Sequence, residues 1–325
     1  MIRSYLVSFL PTFPGLVLLA TALAGGLLTQ VTSAQESRDA AKLILDADRV
    51  VFLGDSNTHA GHYISWIEAQ LRAAGDATPE LINLGLPSET CSGLSEPDHP
   101  FPRPDVHERL ARALDKAKPD TVVICYGMND GIYYPFDAQR FAAYQQGIRR
   151  MIEAIHDSGA KIILMTPPPF DPQPMGKQGK LLPLGAEKYA WFAIYEDYDE
   201  VIRRYAEWVL SLGGDVEMVI DIHSPMERYL ATQRRRDADY AQSDDGVHFN
   251  RQGHEVMAAT VLEQLGIPVQ KLPAGLLERV TARQQLMHAA WLTHVGHQRP
   301  GMKPGPTLEA ARQRLPSLPA GFQQD

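Results

Sequence analysis

The sequence predicts an α/β three-layer sandwich, with helices covering both faces of a five-stranded parallel sheet. Three observations predict it. Five short apolar runs, at residues 50–53, 81–84, 121–126, 161–166 and 216–222, are rich in Val, Ile and Leu and show no polar alternation, as strands buried on both faces do. Amphipathic stretches lie between them, and alternation of strand with helix is the pattern of parallel crossovers. The composition, 44% hydrophobic and 22% charged over 325 residues, supplies a large core without disulfide staples.

The N-terminus precedes that fold. Arg3 gives a positive start, and residues 16–28 are almost wholly apolar. Thr32-Ser33-Ala34 places small residues at the −3 and −1 positions of a cut before Gln35, the pattern of a secretory leader. An uncleaved signal anchor is the alternative, since residues 6–28 are long enough to span a bilayer. The expected organisation is a signal peptide over 1–34, one α/β domain over 35–266, and a helical, Pro/Gly-rich extension over 267–325. The expected location is secreted or periplasmic. Membrane contact follows only if the N-terminal segment is retained as an anchor.

Helices are expected over 64–74, 106–118 and 137–158, the last capped by Asp137 and stopped by Gly159. Residues 167–187 carry a run of prolines and glycines and form a long loop after the fourth strand, where functional loops gather. An aromatic helix is expected over 187–212, and another over 252–265 behind an Asn250 cap.

Composition also excludes partners. The net charge is −8, and the one tight basic run, Arg234-Arg235-Arg236, is followed at once by Asp237 and Asp239. A solvated face reads this way, and a nucleic-acid surface, which needs clustered cations, does not. Cys125 sits in an apolar run and reads as a small buried residue, with a bridge between Cys91 and Cys125 as the alternative.

Four strand ends carry chemistry. Gly54-Asp55-Ser56 follows the first strand, where ligands of α/β proteins bind, and Ser56 stands before a helix. Asp245-Gly246-Val247-His248 sets a carboxylate three residues before an imidazole. A serine hydroxyl needs a base to take its proton, and the base needs a carboxylate on its other nitrogen. Asp244 is a rival to Asp245, and the three-residue spacing favours Asp245. Asn83-Leu84-Gly85 ends the second strand, and Gly85 allows a close backbone N–H. Gly127-Met128-Asn129-Asp130 ends the third, with Asn129 offering a side-chain donor. The N–H groups of Ser56 and Gly85 with the Asn129 amide would make a three-donor oxyanion hole.

Gly54-Asp55-Ser56, Gly85, Gly127-x-Asn129-Asp130 and Asp245-x-x-His248, in that order, resemble the four blocks of the SGNH (GDSL-type) hydrolase family over roughly residues 48–266. The resemblance implies a flavodoxin-like sandwich and ester hydrolysis without a cofactor. It implies Ser56 as nucleophile, His248 as base, Asp245 as its orienter, Gly85 and Asn129 in the oxyanion hole, and a structural role for Asp55. The expected strand order is 2-1-3-4-5. Many members carry a hydrophobic residue after the Gly-Asp-Ser. Here it is Asn57, which tells against a lipase.

The residues expected against the substrate are Asn57, His59, Tyr133 and Tyr134. His59 and His62, and His294 and His297 with His288 nearby, have spacings that bind metal on a helix, but no carboxylate or thiolate accompanies them, and no metal site is expected. The aromatic run Tyr133-Tyr134-Pro135-Phe136 suits a sugar ring, or it packs its own loop. The expected partner is therefore a small-molecule or polysaccharide ester, first of all an O-acetylated polysaccharide. A lysophospholipid or other lipid ester is the enzymatic alternative. A non-catalytic carbohydrate-binding module on a hydrolase fold is the non-enzymatic one. Acyl transfer between sugars is open to the same residues.

Overall fold

The computed structural model describes residues 39–75, 78–319 and 322, so the leader expected over 1–34 lies outside the described residues. The sheet has five parallel strands: β1 (Arg49–Gly54), β2 (Glu80–Asn83), β3 (Thr121–Cys125), β4 (Lys161–Met165) and β7 (Met218–Ile220). Their order is β2-β1-β3-β4-β7, the expected 2-1-3-4-5 for the major strands. Register is set at the sheet centre, where Val50 lies opposite both Leu81 and Thr121.

Period-two alternation sends successive residues to opposite cores. Val51, Leu53, Val122, Ile124, Ile162 and Leu164 point into one core. There they meet α3 (Leu110–Ala117), α4 (Ala138–Asp157) and α6 (Tyr198–Leu210). Val50, Phe52, Val123, Cys125, Ile163 and Met165 point into the other, against α2 (His62–Ala74) and α8 (Arg251–Gln264). Each such side chain, fully buried, contributes about 1.5–3 kcal/mol, which explains the absence of polar alternation in these strands.

Asp137 caps α4 as expected, accepting from the N–H groups of Gln139 and Arg140, and Asn250 caps α8 by accepting from Gly253 N–H. The helix expected over 106–118 is broken: a 3-10 turn at Val106–Glu108 precedes α3. Both cysteines are free and buried.

Residues 166–197 depart most from expectation. They form an excursion containing α5 (Pro172–Lys177) and a two-stranded parallel sheet of β5 (Leu181–Leu182) and β6 (Ile194–Tyr195). The aromatic helix therefore begins at Tyr198, eleven residues later than the expected 187. Tyr189 shows why: its hydroxyl donates to Pro183 O and accepts from Ala186 N–H, tying the segment into a loop.

The C-terminal extension is built into the domain. α9 (Leu276–Val295) lies against α2 and β2, and Trp291, Leu292 and Val295 join the first core. α7 (His223–Arg234) follows β7, α10 (Leu308–Gln313) packs on α9, and no helix among the described residues is long and apolar enough to cross a membrane.

Candidate active site

The strand ends converge. β1 runs straight into α1 (Ser56–Ala60), whose N-cap is Asp55: the carboxylate accepts from Asn57 N–H at 3.0 Å. Burial pushes the Asp55 carboxyl up to about 6, against that hydrogen bond and the charge of His248. Asp55 thus shapes the turn. Ser56 is left half-buried at the first position of the helix, where backbone N–H groups have no intrahelical acceptor.

His248 lies on the loop before α8. Its Nδ1 donates to Asp245 Oδ2 at 2.6 Å, so the proton sits on Nδ1 and Nε2 is left as the basic nitrogen. Asp245 is itself held from all sides. Its Oδ1 accepts from the Val247 and His248 N–H groups, at 2.9 and 2.8 Å, and from Ser243 Oγ at 3.0 Å. Burial would raise the Asp245 carboxyl, but the His248 hydrogen bond and charge, with the two backbone donors, hold it well below the usual carboxylate range. The same hydrogen bond raises His248 above its ordinary value of 6.5, against desolvation. Asp244 takes no part in this arrangement. It is exposed, and its backbone carbonyl accepts from Gln178. Between them, Gly246 adopts φ +77°, and a Cβ there would sit 2.1 Å from Asp171 O, so the loop needs glycine at that position.

Ser56, His248 and Asn129 line one cavity of about 270 Å³. Asn129 is buried, and its amide orientation is unambiguous. Nδ2 donates to Glu89 O at 3.2 Å, so Oδ1 is the atom that accepts from Tyr133 Oη at 2.9 Å. One N–H of Nδ2 remains for a ligand.

Gly85 does something other than expected. Its N–H donates to Asn83 Oδ1 at 2.8 Å, and Asn83 Nδ2 donates to Thr58 O at 2.8 Å. A Cβ at Gly85 would sit 2.3 Å from His59 N, so the glycine serves close packing of this strand end on α1. The backbone that reaches the cavity from this loop is Ser88, which has φ +67° and lines it beside Ser56 and Asn129. The Ser88 N–H has no hydrogen bond among the described residues, and its carbonyl accepts from Arg103 Nη1 at 3.3 Å. Ser88, in place of Gly85, is the candidate second backbone donor.

The expected substrate residues separate. Tyr133 lines the cavity and orients Asn129. Tyr134 instead packs its loop, edge-on to Tyr189 at 5.0 Å and under Arg140. His59 turns away to Gly85 O and the His288 ring, into a separate cavity with His297. Asn57 is 3% exposed and is fully committed to the chain: Nδ2 donates to Val247 O at 2.9 Å and Oδ1 accepts from Phe249 N–H at 3.0 Å. These two bonds bracket His248, so Asn57 registers the base loop on the serine loop. Residues that sequence reasoning missed complete the wall: His99, Phe101, Arg103, Trp191 and Arg299. Trp191 had a signal in its aromatic run, which helical spacing misdirected. Arg299 sits in the extension with no local pattern. The histidine pairs hold no cluster of three or more metal-ligating side chains among the described residues.

The sequence pattern of the GDSL-like Lipase/Acylhydrolase family matches residues 52–256, more than half of the chain. The chain belongs to that family. Solved structures share the fold. A gut microbial diltiazem-metabolizing enzyme is 20% identical with a TM-score of 0.52, over 67% of this chain and 47% of its own, so the chain spans about half that enzyme's length. An acetyl xylan esterase is 20% identical with a TM-score of 0.50, over 66% of this chain and 98% of its own. No curated protein sequence matches this chain.

If Asn129 Nδ2 receives an oxyanion, Asn129→Ala is expected to lower kcat on an aryl acetate by about 10²–10³, as loss of one such donor does. Because Asn129 is buried between Tyr133 Oη and Glu89 O, the variant should also lose about 1–3 kcal/mol of stability. Initial rates measured well below the variant's melting range, with melts alongside, separate the two effects. Unchanged kcat on folded protein would remove Asn129 from the oxyanion site.

Proposed function

We propose that the protein is an exported serine esterase that removes short acyl groups, acetyl above all, from carbohydrate through an acyl-enzyme on Ser56. The observation that carries the reading is the placing of Ser56, His248 and Asn129 on one cavity, with His248 Nδ1 held by Asp245. The Ser56 hydroxyl attacks the acyl carbon while His248 Nε2 takes its proton. The Ser56 and Ser88 N–H groups and Asn129 Nδ2 receive the oxyanion as it forms. His248 returns the proton to the departing sugar oxygen. It then draws one from a water whose oxygen attacks the acyl carbon, and passes it to Ser56 Oγ as the acyl–Oγ bond breaks and the acid leaves.

The size of the cavity supports a short acyl group. At about 270 Å³ it lies just below the ~300–1,000 Å³ range of sites for larger ligands. The half-exposed face of Trp191, with Tyr133 and Phe101 among polar neighbours, supports a sugar beside it. Export rests on the leader-like pattern before Gln35. The test is a fluorophosphonate label located by peptide mass at Ser56, followed by acetate release from acetylated xylan against fatty-acid release from a lysophospholipid. N-terminal sequencing of the secreted protein should begin at Gln35. No label, or a label elsewhere, removes the serine mechanism. Faster release from the lysophospholipid removes the sugar ester.

A further inference from the structure

Among the described residues, no carboxylate pairs with one of the cations in the cavity beside Ser56. Four of the side chains lining that cavity can carry positive charge: His99, Arg103, His248 and Arg299. His248 is matched by Asp245. Arg103 is buried and bidentate on Glu96, with Nε and Nη2 at 2.6 and 2.7 Å from its oxygens. The His99 Nδ1 is taken by Phe101 O. Burial pushes His99 below its ordinary value, the first of its influences, so it is neutral near pH 7. Arg299 differs. It pairs with no carboxylate among the described residues, and its bonds go to backbone carbonyls: Nε to Pro87 O at 2.8 Å and Nη1 to Pro300 O at 3.1 Å. Its guanidinium lies 5.1 Å over the Phe101 ring, whose edge meets His99. Its Nη2 makes no hydrogen bond among the described residues. A guanidinium fixed on two carbonyls and an aromatic face, with donors left over, is preorganised for a planar anion.

Taking the serine esterase reading as its basis, we infer that Arg299 forms a carboxylate subsite at the mouth of the catalytic cavity, making the preferred substrate an acyl ester of an acidic, uronate-bearing sugar. The C-terminal extension thereby supplies specificity to a site whose reacting groups all lie before residue 249. A local cation is needed for such a substrate, because the chain's net charge of −8 repels a polyanion at long range. A sugar carboxylate also fits the aromatic wall of Phe101 and Trp191, where a phospholipid's acyl chain would find only the small cavity.

The test uses the full chain and one sugar backbone in two charge states. Acetylated oligogalacturonide is compared with the same chain methyl-esterified at its carboxylates, each rate divided by that for hydroxide-catalysed deacetylation. Acetate release from the acid form is expected to show a kcat/KM at least about tenfold higher, the size of one charge-assisted contact. Added salt should shrink the ratio, since the subsite is half open to solvent. Arg299→Gln should bring the ratio to about one, while Arg299→Lys keeps part of it. Arg299 also holds Pro87 O next to Ser88, so its loss could slow both substrates together. A purely positioning role lowers both rates and leaves the ratio unchanged, which would overturn the subsite. Should the Gln variant not fold, the wild-type ratio and its salt dependence decide alone. A wild-type ratio of one or below, or a lysophospholipid turned over faster than the uronide, overturns the proposal. In those cases 4-nitrophenyl acetate hydrolysis and the Ser56 label still stand. Loss of both of these would instead bring down the esterase reading beneath it.

Discussion

Ser56→Ala is expected to lower kcat on 4-nitrophenyl acetate by about 10⁶-fold, as removal of a serine nucleophile does. Fluorophosphonate labelling should vanish with it. The size of the loss follows from the proposed mechanism, in which no acyl-enzyme forms without Oγ and only binding and the oxyanion donors remain to assist water. The fold should be indifferent. Ser56 is half-buried, its hydroxyl makes no hydrogen bond among the described residues, and the Asp55 cap of α1 bonds to Asn57 N–H. The melting transition should therefore move by no more than the ~0.5 kcal/mol of an ordinary surface substitution. Neighbouring serines give a sharp control: Ser88→Ala keeps its backbone N–H and should stay within several-fold of wild type. Ser56→Ala retaining a tenth of wild-type turnover would end the serine mechanism.

Much of the scaffold was legible in the sequence because it rests on burial. Strands covered on both faces must be apolar at every position, so runs such as 121–126 announce themselves, and Asp137 and Asn250 mark helix starts through a single local hydrogen bond. Residues 187–197 were misread for the complementary reason. Their aromatics recur at spacings a helix would allow, and only the contacts of Tyr189 with Pro183 and Ala186 reveal a loop. Within the candidate site, the side chains that meet at the cavity could be named from type and spacing, since a carboxylate three residues before a histidine is itself a local device. Backbone donors could not. Gly85 signals a close approach without saying to what, and the approach is to His59 N. Ser88 adopts φ +67° with no glycine to mark it. Arg103, Trp191 and Arg299 reach the cavity by long-range packing, which no spacing encodes.

Asn57 illustrates how one side chain can look exposed in sequence and be structural in space. Placed directly after Ser56, it reads as a cleft residue. Its amide instead spans to Val247 O and Phe249 N–H, so the loop of the base cannot move relative to the loop of the serine without breaking two buried hydrogen bonds. A buried amide left without these partners would cost about 1–3 kcal/mol per group, which makes this register stiff. Such stiffness matters because a displacement of even ~1 Å between nucleophile and base can cost about 10²-fold in rate.

Asp245→Asn is expected to lower kcat/KM by about 10⁴-fold and to move its pH dependence. Asn can keep one oxygen for the Val247 and His248 N–H groups, so the loop should hold. Its amide nitrogen then faces His248 Nδ1, where a donor is wrong. The ring must place its proton on Nε2, the nitrogen needed as base, and the imidazolium loses its counter-charge. The pH profile separates this from mere disruption. In the wild type, kcat/KM rises as His248 loses its proton. Asp245 raises His248 above 6.5, so the acid limb should lie above 6.5. Asp245 itself stays ionised throughout that limb, since its carboxyl is held well below the usual range. In Asp245→Asn the support for imidazolium is gone, so the remaining activity should rise at lower pH than in the wild type. A variant that was only misfolded would lose amplitude and keep the wild-type limb. Asp244→Asn is the matched control: exposed and without a bond to the ring, it should stay within about threefold of wild type and leave the limb in place. An Asp245→Asn profile with an unshifted limb, or a larger loss in Asp244→Asn, would show that another group orients the base.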